Sequence, residues 1–183
     1  MLKTRPLTPH AEGVTEEEFR AAMSRLAAGV VLITAQEPDD EDEIAGMTAT
    51  AFLSVSLDPP LVLVSVREGS RMDDLLAEQP HWAVSVLAEG QRQIASRFAM
   101  KGRLSDRLLF ADLPHTRGPV SGAPLVDGAL ATLECRTESR IPAGDHTLVL
   151  GRVLTATAPA TPPANGSAHP LAYFRGAYRH LAP

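Results

Sequence analysis

The chain has 183 residues, 44% of them hydrophobic and 21% charged, with a formal net charge of −5. That is the size of one domain whose core needs no covalent or metal staple, and the composition excludes a wholly disordered chain. No apolar run reaches the ~18 residues of a membrane span, no basic-then-apolar leader opens the sequence, and a single cysteine, Cys135, excludes an intrachain disulfide or a cysteine-based zinc site. The expectation is a cytoplasmic protein without a membrane partner.

The negative charge is local. Six of the 22 acidic residues lie between Glu37 and Glu43, and the remaining 16 nearly balance the 17 basic ones. With no basic stripe and only eight aromatic residues, nucleic acid is not an expected partner. The acidic run reads as a solvated hairpin tip with no assigned role.

Residues 1–14 read as a flexible arm and 15–183 as the domain. Thr15 and Glu18 form a capping box, with Val14 and Phe19 placed as its hydrophobic staple. Phe19, Ala22, Met23 and Leu26 recur at helical spacing and Gly29 suits the stop, which predicts an amphipathic helix over 16–28. A β-branched strand follows at 30–34. Past the acidic tip the chain returns through 44–52 and continues through 53–57 to a hard break at Asp58-Pro59-Pro60. A strand at 61–66 leads to a short helix over 71–78, capped by Ser70 and ended by Pro80. Next come a strand at 82–87 and a helix at 91–99 with Ile94, Ala95 and Phe98 on one face. Residues 102–128 are rich in Gly and Pro and read as a long excursion. The stretch 129–138 alternates, Gly144-Asp145 makes a turn, and 147–155 is another strand. A Pro-rich surface loop at 158–169 precedes a last strand with a turn at 171–178. Strands and helices do not alternate regularly, so the pattern favours a mainly β, small antiparallel barrel with flanking helices over a doubly wound parallel sheet.

Loud catalytic motifs are missing: no Gly-x-Gly-x-x-Gly after a strand, no P-loop, no His-Glu-x-x-His, no Gly-x-Ser-x-Gly, and six scattered histidines. Quieter signals remain. The stretch Gly46-Met-Thr-Ala-Thr-Ala-Phe52 is small, hydroxyl-bearing and uncharged. It reads either as a tightly packed strand or as a backbone that a flat ligand approaches closely. Arg67-Glu-Gly-Ser-Arg71 sits before a helix start, where an anion can dock, although Ser70 also reads as a plain N-cap. Phe98 reads as core, or as an aromatic edge near the positive Lys101 and Arg103. His146, after Gly144-Asp145, is either structural or placed to position a substrate. Tyr173, Arg175 and Tyr178 are core and surface fillers or part of the same mouth.

In order along the chain, these pieces resemble the flavin reductase-like family, with its FMN-binding split barrel. The resemblance spans residues 16–181 and is most specific from Met47 to Val66, through Gly46-Met-Thr-Ala-Thr-Ala-Phe52 and Ser54-Val-Ser-Leu-Asp-Pro-Pro-Leu-Val-Leu-Val-Ser65. Trp82-Ala-Val-Ser-Val-Leu87, Gly122-Ala-Pro-Leu125, Gly144-Asp-His146 and Gly176-Ala-Tyr178 extend it. It implies a six-stranded antiparallel Greek-key split barrel, a homodimer, and an NAD(P)H:flavin oxidoreductase. Such an enzyme reduces FMN or FAD with NADH or NADPH, by hydride transfer to flavin N5, and supplies a flavin-dependent monooxygenase partner. By position, Gly46, Met47, Thr48, Ala49, Thr50 and Ala51 face the flavin ring and its polar edge. Ser65, Val66, Arg67, Ser70 and Arg71 hold the ribityl-phosphate end, joined by Phe98 and Lys101. His146 lies beside the nicotinamide as the catalytic candidate, with Tyr173, Arg175 and Tyr178 as outer wall. Met72 departs from the family, which often has a threonine there, so Ser70, Arg71 and backbone amides carry more of any phosphate contact. A non-catalytic FMN carrier is the alternative. A pyridoxamine-phosphate-type oxidase would need more phosphate-binding cations than 67–71 offers, and an interaction module would not need the small, hydroxyl-rich strand.

Overall fold

The computed structural model describes residues 13–38, 40, 43–100, 102, 105–159 and 169–181. The expected arm up to residue 12, most of the Pro-rich loop, and Lys101 and Arg103 lie outside the described residues. The described residues include four α-helices: α1 (Glu16–Met23), α2 (Arg71–Glu78), α3 (Arg92–Ala99) and α4 (Asp106–Ala111). The strands of the main sheet are β2 (Val31–Gln36), β3 (Ile44–Ala49), β4 (Phe52–Leu57), β5 (Pro60–Arg67), β6 (His81–Val86), β9 (Ala131–Ala143) and β10 (His146–Thr157). Short strands β1 (Ala28–Gly29), β11 (Ala172–Phe174) and β12 (Ala177–Arg179) form a second sheet, and β7 (His115–Arg117) pairs with β8 (Pro124–Val126).

The main sheet is antiparallel in the order β3-β2-β6-β9-β10-β5-β4. It is an open sheet of seven strands, where a six-stranded Greek-key split barrel is expected. The difference arises in the run through 44–57, which breaks into two strands, β3 and β4, that form the two edges. Laid flat, seven strands put those edges about 29 Å apart. Only Thr50 and Ala51 join them, a link that spans about 10 Å. The sheet is therefore rolled, which brings the two edges together at that corner; the Ser65 amide, donating to the Ala51 carbonyl at 3.0 Å, carries the β4–β5 ladder into it.

Rolling creates two apolar layers, and β2 serves both. Val31, Ile33 and Ala35 face the barrel interior with Trp82 and Val64, while Leu32 faces a second cluster with Phe98, Phe110 and Leu171. This is the two-residue period of a strand covered on both sides. Helix α2 plugs the interior with Met72, Leu75 and Leu76. Gly151 is required beside Trp82, because a Cβ there would lie 2.4 Å from the indole Cζ2.

One buried carboxylate belongs to the scaffold. Glu134 accepts from the amides of Val120 and Ser121, from the Ser121 hydroxyl and from the Thr155 hydroxyl, all within 2.9 Å. Burial together with this charge pushes the neighbouring Cys135 thiol up to about 12, so it stays protonated and has no thiolate chemistry.

Helix α1 is shorter than the expected 16–28, although its Thr15–Glu18 capping box forms. The chain leaves the helix at Ser24, whose carbonyl accepts from the Arg175 amide, and Ala28 and Gly29 pair with Tyr173 and Ala172. No residue of α1 is buried; Phe19 and Met23 on the helix and Leu26 just beyond it are exposed, as are Leu53, Val55 and Leu57 on β4.

Candidate functional site

Strand β3 is covered on both faces. Its even positions look toward α3: a Cβ on Gly46 would meet Phe98 ring carbons at 2.7 Å, and the Thr48 hydroxyl donates to the Ala95 carbonyl at 2.8 Å. Ala45, Met47 and Ala49 pack on the barrel interior. The small side chains of this strand are thus explained by close packing, and Gly46 and Ala49 are buried. What stays open is the outer edge. The Glu37 amide bonds the Glu43 carbonyl, and the Gly46 amide turns away from β2 to donate to the Asp106 carboxylate at 3.1 Å. By the same two-residue period the amides of Thr48 and Thr50 also point outward. Thr50 and Ala51 are exposed at the corner, beside Ser65. The predicted ring-facing residues are therefore together, but they offer an edge of backbone rather than a face of side chains.

Across this edge lies the loop that ends β5 and starts α2. Ser70 is the N-cap: its hydroxyl accepts from the Asp73 amide at 3.3 Å, and the Asp73 carboxylate accepts from the Gly69 amide at 3.1 Å. Arg140 clamps Asp73 from β9 through its carboxylate at 2.6 Å and its carbonyl at 3.1 Å. Burial works to raise the Asp73 pKa, but the Gly69 amide, the Thr147 hydroxyl and Arg140 outweigh it and hold the carboxyl below its usual range. Of the first-turn amides, those of Arg71 and Met72 have no acceptor within the helix. Met72 itself is core, which accounts for the absence of a hydroxyl there. Arg71 extends toward the base of the β2–β3 hairpin and meets Glu37, Glu43 and Asp106. Glu37 and Glu43, expected as part of a solvated tip, are half-buried ion-pair partners, while Asp39, Glu41 and Asp42 lie outside the described residues.

His146 stands at the same end. It opens β10 opposite Arg67, is 41% exposed, and its Nδ1 lies 2.7 Å from the Asp145 carboxylate. That contact holds the Asp145 carboxyl below its usual range. The Asp145 carbonyl in turn accepts from the Glu68 amide at 3.1 Å, which ties the turn to the Arg67–Ser70 loop.

The remaining predicted residues are placed elsewhere. Phe98 is 2% exposed and serves as the floor under Gly46; it presents no open aromatic edge. Tyr173 and Tyr178 stack edge-on at 5.4 Å and pack against the second core cluster. Burial raises the Tyr178 pKa, and Arg92 of α3 lies over its ring. Arg175 sits in the β11–β12 turn at φ 52° and lines a separate cavity of about 460 Å³ with Glu17, Arg20 and Arg25. The residue that sequence reasoning missed is Asp106. It joins the Gly46 amide to Arg71, and its only sequence signal is a Ser105-Asp106 helix start inside the expected excursion.

Comparison with known proteins identifies the family. A model of the flavin reductase like domain matches residues 23–182. An NADH-dependent flavin reductase of a Rhodococcus species is 40% identical over 168 residues, covering 92% of this chain and 88% of that protein. The fold is similar to BorF, the flavin reductase component of a bacterial two-component tryptophan halogenase, with a TM-score of 0.82 and 36% identity over 92% of this chain and 99% of that one. It is also similar to the Streptomyces globisporus NADH:FAD oxidoreductase SgcE6 in complex with NAD and FAD fragments, with a TM-score of 0.80 and 36% identity over 94% and 98% of the two chains. The chain belongs to the flavin reductase-like family.

Proposed function

We propose that this protein is an NADH-dependent flavin reductase that reduces FMN or FAD and passes the reduced flavin to a partner flavin-dependent monooxygenase. The observation that carries the reading is the open edge of β3. Its outward amides at Thr48 and Thr50 lie on the same strand edge as the Gly46–Asp106–Arg71 junction, and the Ser65 end of β5 adjoins its corner. That donor set fits a flavin, whose ring has a polar edge of carbonyls and nitrogens and whose tail ends in phosphate. The family and the named activities of relatives support the same assignment.

Bound flavin and nicotinamide supply the redox chemistry, a hydride moving from nicotinamide C4 to flavin N5. The chain's own residues bind and orient. The amides of Thr48 and Thr50 would hold the polar edge of the ring, with Ala51 and Ser65 closing the corner. Ser70, Arg71 and the first-turn amides of α2 would hold the phosphate end, with Val66 and Arg67 leading to it. His146, its Nδ1 engaged by Asp145, would turn Nε2 toward the nicotinamide and position it. No side chain needs to give or take a proton.

In this reading residues 15–183 form a split-barrel reductase domain with a Greek-key core of six strands, preceded by an arm at 1–14, and the protein works in the cytoplasm. Among the described residues no helix is long and apolar enough to cross a membrane. A homodimer gives the exposed stripes on α1 and β4 a place to be buried. The test is to mix purified protein with NADH and FMN or FAD and follow nicotinamide absorbance. Flavin-dependent NADH oxidation supports the proposal; flavin binding without turnover identifies a carrier.

A further inference from the structure

We propose that Glu37 and Glu43 occupy Arg71 as an internal substitute for the flavin phosphate, and so set how this enzyme discriminates FMN from riboflavin. The inference rests on the reading above. Arg71 is the cation at the N-terminus of α2, the place where a phosphate would be expected to dock. Its guanidinium is already engaged. Nη2 lies 3.1 Å from Glu37 Oε1 and 3.7 Å from Glu43 Oε2, and Nη1 lies 3.6 Å from Asp106 Oδ2.

The two glutamates are fixed by the fold. The Glu37 amide donates to the Glu43 carbonyl at 2.8 Å, so the last pairing of the hairpin holds both carboxylates beside Arg71. A cavity of about 330 Å³ lies between them, bounded also by Asp40 and Glu78, and the first turn of α2 adds Asp73 and Asp74. Arg140 pairs with Asp73 and Arg107 reaches Glu43 Oε1 at 3.8 Å, but Arg71 itself faces Glu37, Glu43 and Asp106 together. A phosphate reaching Arg71 must displace Glu37 and Glu43, so it exchanges one anion for another and gains little. Riboflavin, without phosphate, loses nothing by comparison. Such a site takes FMN with a small preference and lets it go readily, as suits a flavin that is passed on rather than retained.

The experiment measures FMN and riboflavin dissociation constants, by flavin fluorescence titration, for the wild type, Glu37→Gln, Glu43→Gln, the double variant, and the double variant with Arg71→Gln. Ion pairs open to solvent on one side are individually weak, so removing both competitors should raise the FMN-over-riboflavin preference about three- to tenfold with riboflavin affinity unchanged. Each single variant should give part of that gain, which keeps the test available if the double variant fails to fold. Arg71→Gln should abolish the gain. An unchanged preference in all glutamine variants, or a gain that survives loss of Arg71, overturns the inference. Wild-type protein that binds neither flavin refutes the flavin-reductase reading itself, and is a different result from flavin binding without the gain.

Discussion

Gly46→Ala separates the two explanations for the small residues of β3, close packing and close approach of a ligand. An added Cβ would lie 2.7 Å from both Cδ1 and Cε1 of Phe98 and 3.0 Å from Phe110 Cζ, well inside the ~3.5–4.0 Å of an ordinary carbon contact. Neither ring has room to retreat. Phe98 is buried, its centroid is 4.8 Å from that of Phe110, and Phe110 is braced at 5.6 Å by His115. Overpacking of this kind costs about 1–3 kcal/mol, offset by about 0.5–1 kcal/mol from the stiffer unfolded chain. The expected net loss is about 1–2 kcal/mol, or a Tm lower by about 2–8 °C, read by urea denaturation and calorimetry. Pairing it with Phe98→Leu should recover part of the loss, because that change opens the space the methyl needs. The shift of α3 should also weaken the Thr48–Ala95 bond and raise the flavin dissociation constant. If Gly46→Ala is as stable as the wild type and flavin affinity alone falls, packing is not what keeps residue 46 small.

Thr50→Asp, at the exposed corner, should leave the fold intact and weaken flavin binding about tenfold or more, because a carboxylate would be desolvated against the ring; normal affinity in a titration would move the site off this edge. His146→Ala should raise the KM for NADH several-fold, lower kcat less, and leave flavin affinity unchanged; loss of flavin binding would contradict its place beside the nicotinamide. Glu134→Ala leaves four donors around an empty position and should cost about 3 kcal/mol or more by chemical denaturation; a loss below about 1 kcal/mol refutes that role. Burial works to raise the Glu134 pKa, but the hydrogen bonds from Ser121, Thr155 and Val120 hold it below its ordinary 4.5. The unfolded chain therefore takes the proton first. The stabilisation is in full force above 4.5 and is lost as pH falls through the lower folded value, and a stability profile of Glu134→Gln should be flatter there.

How much could be read from the sequence depended on whether the cause was local. Helix α2 matches its expected span because Ser70 starts it and Pro80 closes it within the segment itself. The β2–β3 hairpin and the Gly144-Asp145 turn, with Gly144 at φ 69°, were legible for the same reason. The break at Thr50–Ala51 was not. No proline or glycine marks it, because it comes from rolling a seven-stranded sheet until its edges meet. The early end of α1 is set by β11 and Arg175, about 150 residues downstream. The partnership of Glu37 with Arg71 spans 34 residues and a hairpin, so a run of acids looked like a solvated tip. The turn before His146 is tied to the loop before Ser70 only through the Glu68–Asp145 bond and the β5–β10 pairing, which no local spacing shows, whereas Phe98 is a core residue whose spacing on α3 already pointed inward.

The proposed edge site would let one strand serve both the core and a ligand. Both faces of β3 are spent on packing, which leaves only backbone to offer, and an open strand edge is a liability that proteins cover or break. Here Asp106 takes the Gly46 amide, the chain bends away at Thr50–Ala51, and only the short length between them stays open. That length suits one flat guest and is too brief to template another strand. In the proposed reading, a guest held by a few main-chain donors, with Arg71 contested by Glu37 and Glu43, would be bound with moderate affinity. For an enzyme that must bind oxidised flavin, reduce it and surrender it to a second protein, moderate affinity at an exposed edge is a physical requirement, because a site that enclosed the ring would turn the substrate into a prosthetic group.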